Sequence, residues 1–361
     1  MKDRKFSRIL VINTGNTSTK VGLFEDDRPI LIESLKHSQE ELDRFADMND
    51  QLGFRTDAVK GWVKRQESAH PEGLALSAVV TRGGLLKPLA SGTYTVNDAM
   101  IRDLVEGKRG SHTSNLSAQI GRKIADPLGI PCFIVDPVSV DEFGPLARYS
   151  GHKLFQRESL IHALNMKRIA LQFARKSGRP YEKLNLVVIH LGSGISVSIH
   201  HGGRMIDSIN ASEEGPFSPE RSGGLPIRQV VKYVLDNGLD YKTFSKMVFG
   251  DGGLYSYLGT RDFAPVAERY RAGDAEVIEL VQAMAYQVAK DAAAMSSVVN
   301  GDVDAILITG GMANVDFLVE LIAERIKFIA PVFTIPGEDE MGALAEGAFR
   351  VISGIEQARE Y

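Results

Sequence analysis

The stretch ILVINTG, residues 9 to 15, is an apolar run that ends in a polar turn with a glycine. The same pattern returns at residues 186 to 192 as LVVIHLG, with four apolar residues, a polar residue, one spacer and a glycine. Internal self-similarity of this kind indicates a repeated structural unit. We therefore expect a duplicated chain with two domains of related fold.

Each glycine is followed by the pattern of an antiparallel meander. The first half has predicted strands at 19–24 and 29–33 around the turn EDDR, and the second has strands at 196–200 and 204–209 around the turn HGG. Apolar strands then alternate with helical periodicity, with predicted strands at 75–80, 132–136, 305–311 and 331–335 and, for instance, a predicted helix at 114–129. This order predicts an α/β class with a mixed sheet flanked by helices in each half.

The composition argues against several classes of function. The chain has 361 residues, 43 % of them hydrophobic, and a formal net charge of -4, without a basic block that would indicate a nucleic-acid partner. Its one cysteine, Cys132, excludes an internal disulfide, and no Cys/His spacing matches a zinc site. The uncharged span 184–203 alternates like a pair of strands, so we interpret it as soluble core. We expect a cytoplasmic protein with small-molecule partners, no nucleic acid and no membrane.

Several segments carry a resemblance to a known family: ILVINTGNTSTKVGLFEDD, VVIHLGSGISVSIHHGGRMID, SEEGPFSPERSGGLP, ILITGGMAN and IPGEDEMGALAEGAFRV. They resemble the acetokinase family, and within it the butyrate kinases and branched-chain fatty acid kinases, with matches from residue 9 to about 351. The resemblance implies the fold of the acetate and sugar kinase, Hsp70 and actin superfamily, which has two duplicated ribonuclease H-like (actin-like ATPase) domains around a cleft. It also implies a homodimer or higher homo-oligomer.

The repeat and the resemblance together predict the domain boundaries. We expect an N-terminal domain over about 1–150 and a C-terminal, nucleotide-binding domain over about 151–337. The segment 338–361, which includes the last helical pattern, is expected to pack back onto the first domain.

Three glycine turns are candidate nucleotide contacts. In the first glycine turn, NTGNTSTK at residues 13 to 20, the glycine lets backbone N–H groups approach an anion, and hydroxyls and a lysine add donors and charge. The second glycine turn, HLGSG at residues 190 to 194, occupies the equivalent place in the repeat, which argues against the alternative of an ordinary exposed hairpin. Phosphate contacts are predicted at Asn13, Gly15, Asn16, Ser18, Lys20, Gly192, Ser193 and Gly194.

The third glycine turn, TGGMAN at residues 309 to 314, follows an apolar strand and precedes a helical pattern. An isolated glycine pair after a strand is ordinary loop chemistry. Its place in the second repeat, and the resemblance to the adenosine motif of the superfamily, favour Gly310, Gly311 and Asn314 as nucleotide contacts. No P-loop and no protein-kinase HRD or DFG motif occurs, so ATP would be bound by these three turns.

Two arginines and two histidines are the candidate catalytic cations. Arg82 in VVTRGGLL and Arg221 in PERSGGLP each adjoin a glycine pair, where a ligand can approach the backbone and a guanidinium can bind carboxylate or phosphoryl oxygens. The resemblance implies that these two bind the carboxylate and the transferring phosphoryl group, and that His162 and His190 stabilise the transition state. The alternatives are solvated arginines and hydrogen-bonded core histidines.

Magnesium is expected because the charge of a triphosphate must be neutralised, and Mg²⁺ prefers oxygen ligands. Asn13, Asp136 and Glu340 are the candidate ligands, with Glu338 as an alternative to Glu340. Asp136 ends a predicted strand before Pro137, a position equally typical of an active-site carboxylate and of a turn-forming aspartate. Asn16 departs from the family, whose close members more often have serine there; altered affinity is expected.

These residues predict direct in-line transfer of the ATP γ-phosphoryl group to a carboxylate, which gives an acyl phosphate and ADP reversibly. Butyrate, isobutyrate or isovalerate is the expected acceptor, because Gly83 and Gly84 would remove side-chain volume beside Arg82 and leave a larger apolar slot. The alternatives are an acetate or propionate kinase, a sugar kinase, and an ATP-switched binding protein like actin or Hsp70.

Overall fold

A computed structural model of the chain describes residues 6–69, 74–110, 112–209 and 213–361. Residues 1–5, with which the first predicted domain begins, and Ser212 of the SEEGPFSPERSGGLP segment lie outside the described residues. The strands are β1 (Arg8–Thr14), β2 (Ser18–Glu25), β3 (Arg28–Lys36), β4 (Ala78–Arg82), β5 (Thr93–Thr95), β6 (Cys132–Val135), β7 (Tyr149–His152), β8 (Phe155–Gln156), β9 (Leu186–Leu191), β10 (Ile195–His201), β11 (Arg204–Ser208), β12 (Ala305–Thr309) and β13 (Val332–Thr334).

The α-helices are α1 (Gln39–Leu42), α2 (Leu52–Ala69), α3 (Asp98–Glu106), α4 (Asn115–Ala125), α5 (Ala163–Ser177), α6 (Ile227–Asp236), α7 (Tyr241–Val248), α8 (Gly253–Leu258), α9 (Phe263–Arg271), α10 (Ala275–Ser297), α11 (Asp316–Ile326) and α12 (Glu340–Ile352). Short 3-10 helices cover Met48–Gln51, Asp126–Leu128, Pro145–Arg148, Tyr181–Lys183 and Gly311–Asn314. Among the described residues, no helix combines the length and the apolar character needed to cross a membrane.

The chain divides into two compact units. Unit 1 comprises Met1–Val140 and Asp339–Tyr361, and unit 2 comprises Asp141–Glu338. Helix α12 thus belongs to unit 1, where Gly347 lies so close to β6 that an added Cβ would be 2.5 Å from a methyl of Val135. The domain boundaries near residues 150 and 337 stay predictions; the compact units divide after residues 140 and 338.

Unit 1 contains a sheet with the strand order β3-β2-β1-β4-β6-β5. Strand β1 pairs antiparallel with β2 and parallel with β4, and β4 pairs parallel with β6. The apolar run Ile9–Ile12 of β1 is fully buried, as expected for a central strand that is covered on both faces. Because β1, β4 and β6 are parallel, their carboxyl ends meet at one edge of this sheet.

Unit 2 contains a sheet with the order β11-β10-β9-β12-β13, which repeats the order β3-β2-β1-β4-β6 of unit 1. Strand β9 pairs antiparallel with β10 and parallel with β12, and β12 pairs parallel with β13. The predicted duplication and the predicted meanders are therefore confirmed. The span 184–203 forms β9 and β10, whose apolar side chains pack in the core with those of α10.

A buried histidine gives unit 2 a pH-dependent stability. His200 of β10 is 0 % exposed, with Nδ1 at 2.9 Å from the Tyr181 hydroxyl and Nε2 at 2.8 Å from Ser198 Oγ. Burial, helped by the charge of Lys167, lowers the pKa of His200 to about 3. Between the ordinary histidine pKa and this value, the unfolded chain therefore binds a proton that the folded protein does not, and acid favours unfolding.

We expect His200→Gln to flatten this dependence. Below about pH 6.5 the wild type should lose up to about 1.4 kcal/mol of unfolding free energy per pH unit more than the variant. Urea unfolding at several pH values checks this, with His201→Gln, which removes the exposed neighbouring histidine, as the control. Parallel stability curves for wild type and His200→Gln would contradict the prediction.

Candidate active site

Three of the predicted site residues meet at the carboxyl edge of the unit 1 sheet. Asn13 is at the end of β1, Arg82 ends β4, and Glu340 opens α12. Asn13 Nδ2 donates to Glu340 Oε2 at 2.7 Å, and Arg82 Nη1 lies 3.1 Å from Glu340 Oε1. The helix N-terminus also favours a carboxylate at position 340. The result is a partly exposed cluster of a guanidinium, an amide and a carboxylate.

Asp136 lies at the same edge, directly after β6, and is almost fully buried. Its Oδ1 accepts hydrogen bonds from Ser91 Oγ and from the Gly92 N–H, both at 2.7 Å. Its backbone has a φ of 37°, in the left-handed region that non-glycine residues rarely adopt. The carboxylate therefore ties the segment before β5 to the end of β6, and its place among the metal ligands stays a prediction.

The first glycine turn joins β1 to β2. The Gly15 N–H donates to the Ser18 carbonyl at 2.8 Å, and the Asn16 side-chain oxygen accepts from Thr113 Oγ1 at 3.1 Å. Asn16 and Lys20 are exposed. Sequence reasoning missed Arg55 of α2, whose buried guanidinium donates to the carbonyls of this turn. No pattern singled it out, because an arginine inside a helix normally belongs to the solvated face.

The second glycine turn joins β9 to β10 and contacts Arg221. The Arg221 guanidinium lies directly against Gly194, where an added Cβ would displace it from this position. Its opposite contact is the Phe249 ring, with Cζ 4.2 Å from the ring centroid. Burial lowers the pKa of Arg221, and its Nε has no hydrogen-bond partner among the described residues. An anionic ligand would supply the hydrogen-bond partner that this guanidinium lacks.

Two of the predicted catalytic residues, His162 and His190, are brought together in unit 2. Their rings stack, with centroids 4.0 Å apart and planes 12° from parallel. The Nδ1 of His162 lies 2.9 Å from Ser196 Oγ, and the Nδ1 of His190 lies 2.9 Å from Asn165 Oδ1. Because that amide oxygen only accepts, His190 Nδ1 carries a proton and donates to it. Each ring is therefore held by a hydrogen bond at one nitrogen.

Glu338 lies beside His190. Its Oε1 is 3.1 Å from His190 Nε2, without the direction of a hydrogen bond, and 3.4 Å from the N–H of Gly311. Glu338 thus connects the second and third glycine turns within unit 2, whereas Glu340 contacts Asn13 and Arg82 within unit 1. Of these two glutamates, Glu340 is the one whose carboxylate contacts Asn13.

The third glycine turn begins where β12 ends. Gly310 has a φ of 96°, and an added Cβ would collide with the carbonyl of Leu191, so this position requires glycine. Asn314 Nδ2 donates to the Gly311 carbonyl at 2.9 Å, and Gly311 and Asn314 are exposed. The predicted helix after this turn is α11. The nucleotide contacts assigned to the turn stay predictions.

The donor set around Glu340 fits Mg²⁺. Within the described parts of the chain, no group of three or more His, Cys, Asp and Glu side chains could hold a metal ion. Mg²⁺ commonly keeps several waters and binds proteins through one or two oxygens, so the Glu340 carboxylate and the Asn13 amide oxygen form a sufficient set. The Asn13 amide contacts Glu340 through its Nδ2 donor, so its oxygen is the atom left for a metal, and the metal site stays a prediction.

The predicted apolar slot beside Arg82 is not formed by the missing side chains of the glycine pair. An added Cβ on Gly83 would lie 2.5 Å from Pro137 Cβ, and one on Gly84 would collide with Asn115. The volume at both positions is already filled by these neighbours, so close packing accounts for the glycines. The argument from Gly83 and Gly84 to a longer acyl chain is therefore wrong.

Comparisons with known proteins agree with the duplicated fold. A crystal structure of Porphyromonas gingivalis acetate kinase superposes with a TM-score of 0.76 at 16 % identity, covering 97 % of this chain and 100 % of that one. A propionate kinase from Francisella tularensis gives a TM-score of 0.72 at 18 % identity, covering 94 % and 98 %. At these identities the likeness concerns the fold, which is that of the actin-like ATPases.

Sequence comparisons reach further. The Acetokinase family profile matches residues 148–342. Butyrate kinase 1 of Clostridium acetobutylicum is 45 % identical over 355 residues, which are 98 % of this chain and 99 % of that protein. The similarity therefore spans both units and every predicted site residue from 13 to 340. The protein belongs to the acetokinase family.

Proposed function

We propose that the protein is a carboxylate kinase that transfers the γ-phosphoryl group of ATP to butyrate or a branched short-chain fatty acid, and that the reaction is reversible. The observation that carries the proposal is the 45 % identity with a butyrate kinase over almost the whole length of both chains. The structure supports it with cations held at strand ends and turns, where ligands bind in α/β proteins.

The acceptor determines which residues the reaction needs. A carboxylate is already ionised at neutral pH, so no general base is required, and the barrier lies in charge repulsion and alignment. Arg82 is proposed to orient the acceptor carboxylate, and Arg221 to neutralise the transferring phosphoryl oxygens. The stacked pair of His162 and His190 is proposed to contact the same phosphoryl group through Nε2. Because His190 gives its Nδ1 proton to Asn165, it donates to a phosphoryl oxygen only as an imidazolium. None of these residues forms a covalent intermediate.

The three glycine turns are proposed to hold the nucleotide, with the phosphates at the first and second turns and adenosine at the third. Mg²⁺ would be held by Glu340 and the Asn13 amide oxygen and would neutralise charge on the triphosphate. In unit 1, Arg82 is also proposed to position a metal ligand. Its contact with Glu340 would hold that carboxylate in the orientation that the metal needs.

A sugar kinase and an ATP-switched binding protein are less well supported. A hydroxyl acceptor needs a carboxylate that takes its proton. At the unit 1 edge, Asp136 is used in hydrogen bonds to Ser91 and Gly92, and Glu340 in contacts with Asn13 and Arg82. A switch would have no use for a buried arginine such as Arg221, whose Nε has no hydrogen-bond partner among the described residues.

We expect the purified protein to form butyryl phosphate from butyrate and MgATP, and to form ATP in the reverse direction. Trapping the product as the hydroxamate across acids of one to six carbons measures acceptor choice. Acetate should have a kcat/KM at least about tenfold below that of butyrate, because each buried methylene contributes about 0.8 kcal/mol.

Two outcomes would contradict this proposal. ATP hydrolysis that no carboxylic acid accelerates would favour the ATP-switched protein. An equal or higher kcat/KM for acetate would favour an acetate or propionate kinase.

Replacing either arginine should reduce catalysis far more than folding. We expect Arg82→Met and Arg221→Met each to lower kcat by about 100-fold or more, the effect of removing a charge that stabilises a transition state. Arg65→Met, on the exposed face of α2, is the matched control. Loss of soluble protein with normal kcat in the remaining fraction would instead mean that the arginines are structural.

The two glutamates can be separated by their metal dependence. We expect Glu340→Gln to raise the Mg²⁺ concentration for half-maximal activity by about tenfold, because a charged ligand is lost. Glu338→Gln, its matched control, should leave the Mg²⁺ requirement unchanged and raise the KM for ATP. Mg²⁺ titrations at saturating ATP decide the assignment. If the Mg²⁺ concentration for half-maximal activity rises in Glu338→Gln alone, the metal ligand is Glu338 of unit 2 and the assignment to Glu340 is wrong.

A further inference from the structure

We propose that Arg55 is a positioning residue that shapes the first glycine turn for an anionic ligand. This inference rests on the proposed function in one respect, namely that the ligand of the turn is nucleotide phosphate. Arg55 is on α2 of unit 1 and is not among the residues assigned to the reaction above, but its side chain reaches the first glycine turn.

The guanidinium binds several carbonyl groups of the turn at once. Nη1 donates to the carbonyls of Gly15 at 3.0 Å and Ser18 at 3.2 Å, and Nη2 donates to the carbonyl of Asn16 at 2.8 Å. Arg55 is 0 % exposed, so these bonds are shielded from water. Charge-assisted hydrogen bonds from one rigid guanidinium fix the orientation of several peptide planes together.

Peptide geometry then determines where the N–H groups point. In a trans peptide the C=O and the following N–H point in opposite directions. The carbonyls of Gly15 and Asn16 point at Arg55, so the N–H groups of Asn16 and Thr17 point away from it. Within the described residues neither N–H donates a hydrogen bond, and both residues are exposed. Two outward N–H groups in adjacent peptides give an anion two donors on the side of the turn away from Arg55.

The charge of Arg55 has no carboxylate partner in the described part of the chain. Its remaining hydrogen bonds go to Gln51 Oε1 at 3.0 Å and to Thr19 Oγ1 at 3.2 Å, which are uncharged acceptors. Burial lowers the pKa of Arg55, and no carboxylate of the described residues pairs with it. A buried cation of this kind is costly alone and is stabilised by an anion on the other side of the turn. We therefore expect phosphate binding to depend on Arg55, although the phosphate does not contact the Arg55 side chain.

The experiment must separate positioning from a merely structural role. Arg55→Met keeps the length of the side chain and removes the charge and the donors, and Arg55→Lys keeps the charge without the planar fork. Val59→Ala is the matched control, because Val59 is fully buried one turn further along α2 and belongs to the apolar core of unit 1. It should lower stability without changing the turn.

We expect Arg55→Met to raise the KM for MgATP by about tenfold or more, with the KM for butyrate within about twofold of wild type. Arg55→Lys should show a smaller rise, and Val59→Ala should leave the KM for MgATP unchanged despite a lower melting temperature. The inference is overturned if the folded arginine variants keep the wild-type KM for MgATP, if both KM values rise together, or if Val59→Ala gives the same rise.

A binding measurement keeps this inference distinct from the proposed function. Calorimetry with the magnesium complex of a non-hydrolysable ATP analogue needs no acyl acceptor, and Arg55→Lys serves if Arg55→Met does not fold. If wild type forms no acyl phosphate but Arg55→Lys weakens analogue binding, the kinase proposal fails and the positioning role stands. If wild type forms butyryl phosphate and Arg55→Lys binds the analogue as wild type does, only the positioning role fails.

Discussion

The parallel pairing of central strands is the constraint on which the rest of the structure depends. In unit 1 it aligns β1, β4 and β6, and in unit 2 it aligns β9, β12 and β13. Because parallel strands end at the same edge, residues far apart in sequence meet there, as Asn13, Arg82 and Glu340 do. All these strands except β13 are buried along most of their length, so their register is strongly specified and determines which residues stand at their ends.

The fold could be predicted from sequence because its signals are local and repeated. The apolar runs of β1 and β9, the meanders after them and the glycines of the turns all follow from periodicity, so the predicted strands agree with the observed ones to within a few residues. Short elements without periodicity, such as β5 and the hairpin of β7 and β8, were missed. Their pairing is determined by tertiary contacts that leave no pattern in the sequence.

The candidate site could be predicted only where a motif marks it. Glycine turns and adjoining arginines are visible in sequence, whereas the partner of each side chain is not. Arg55, which no motif marks, is buried under a turn, and Gly83 and Gly84, which were expected to leave open space, are tightly packed. The omission and the error have one cause: the fold brings distant segments together, and composition at one position does not reveal what fills the space beside it.

The proposed catalysis is a direct transfer between substrates aligned by side chains that the fold holds in place, without a phosphorylated enzyme. Arg82, Arg221 and the stacked histidines are held by contacts with Glu340, Phe249, Ser196 and Asn165. The most direct test is the stereochemistry at phosphorus, measured with ATP that is chiral at the γ-phosphoryl group through oxygen isotopes. A single in-line transfer to butyrate predicts inversion of configuration. Retention would contradict the account, because it requires a second displacement through a covalent phosphoenzyme.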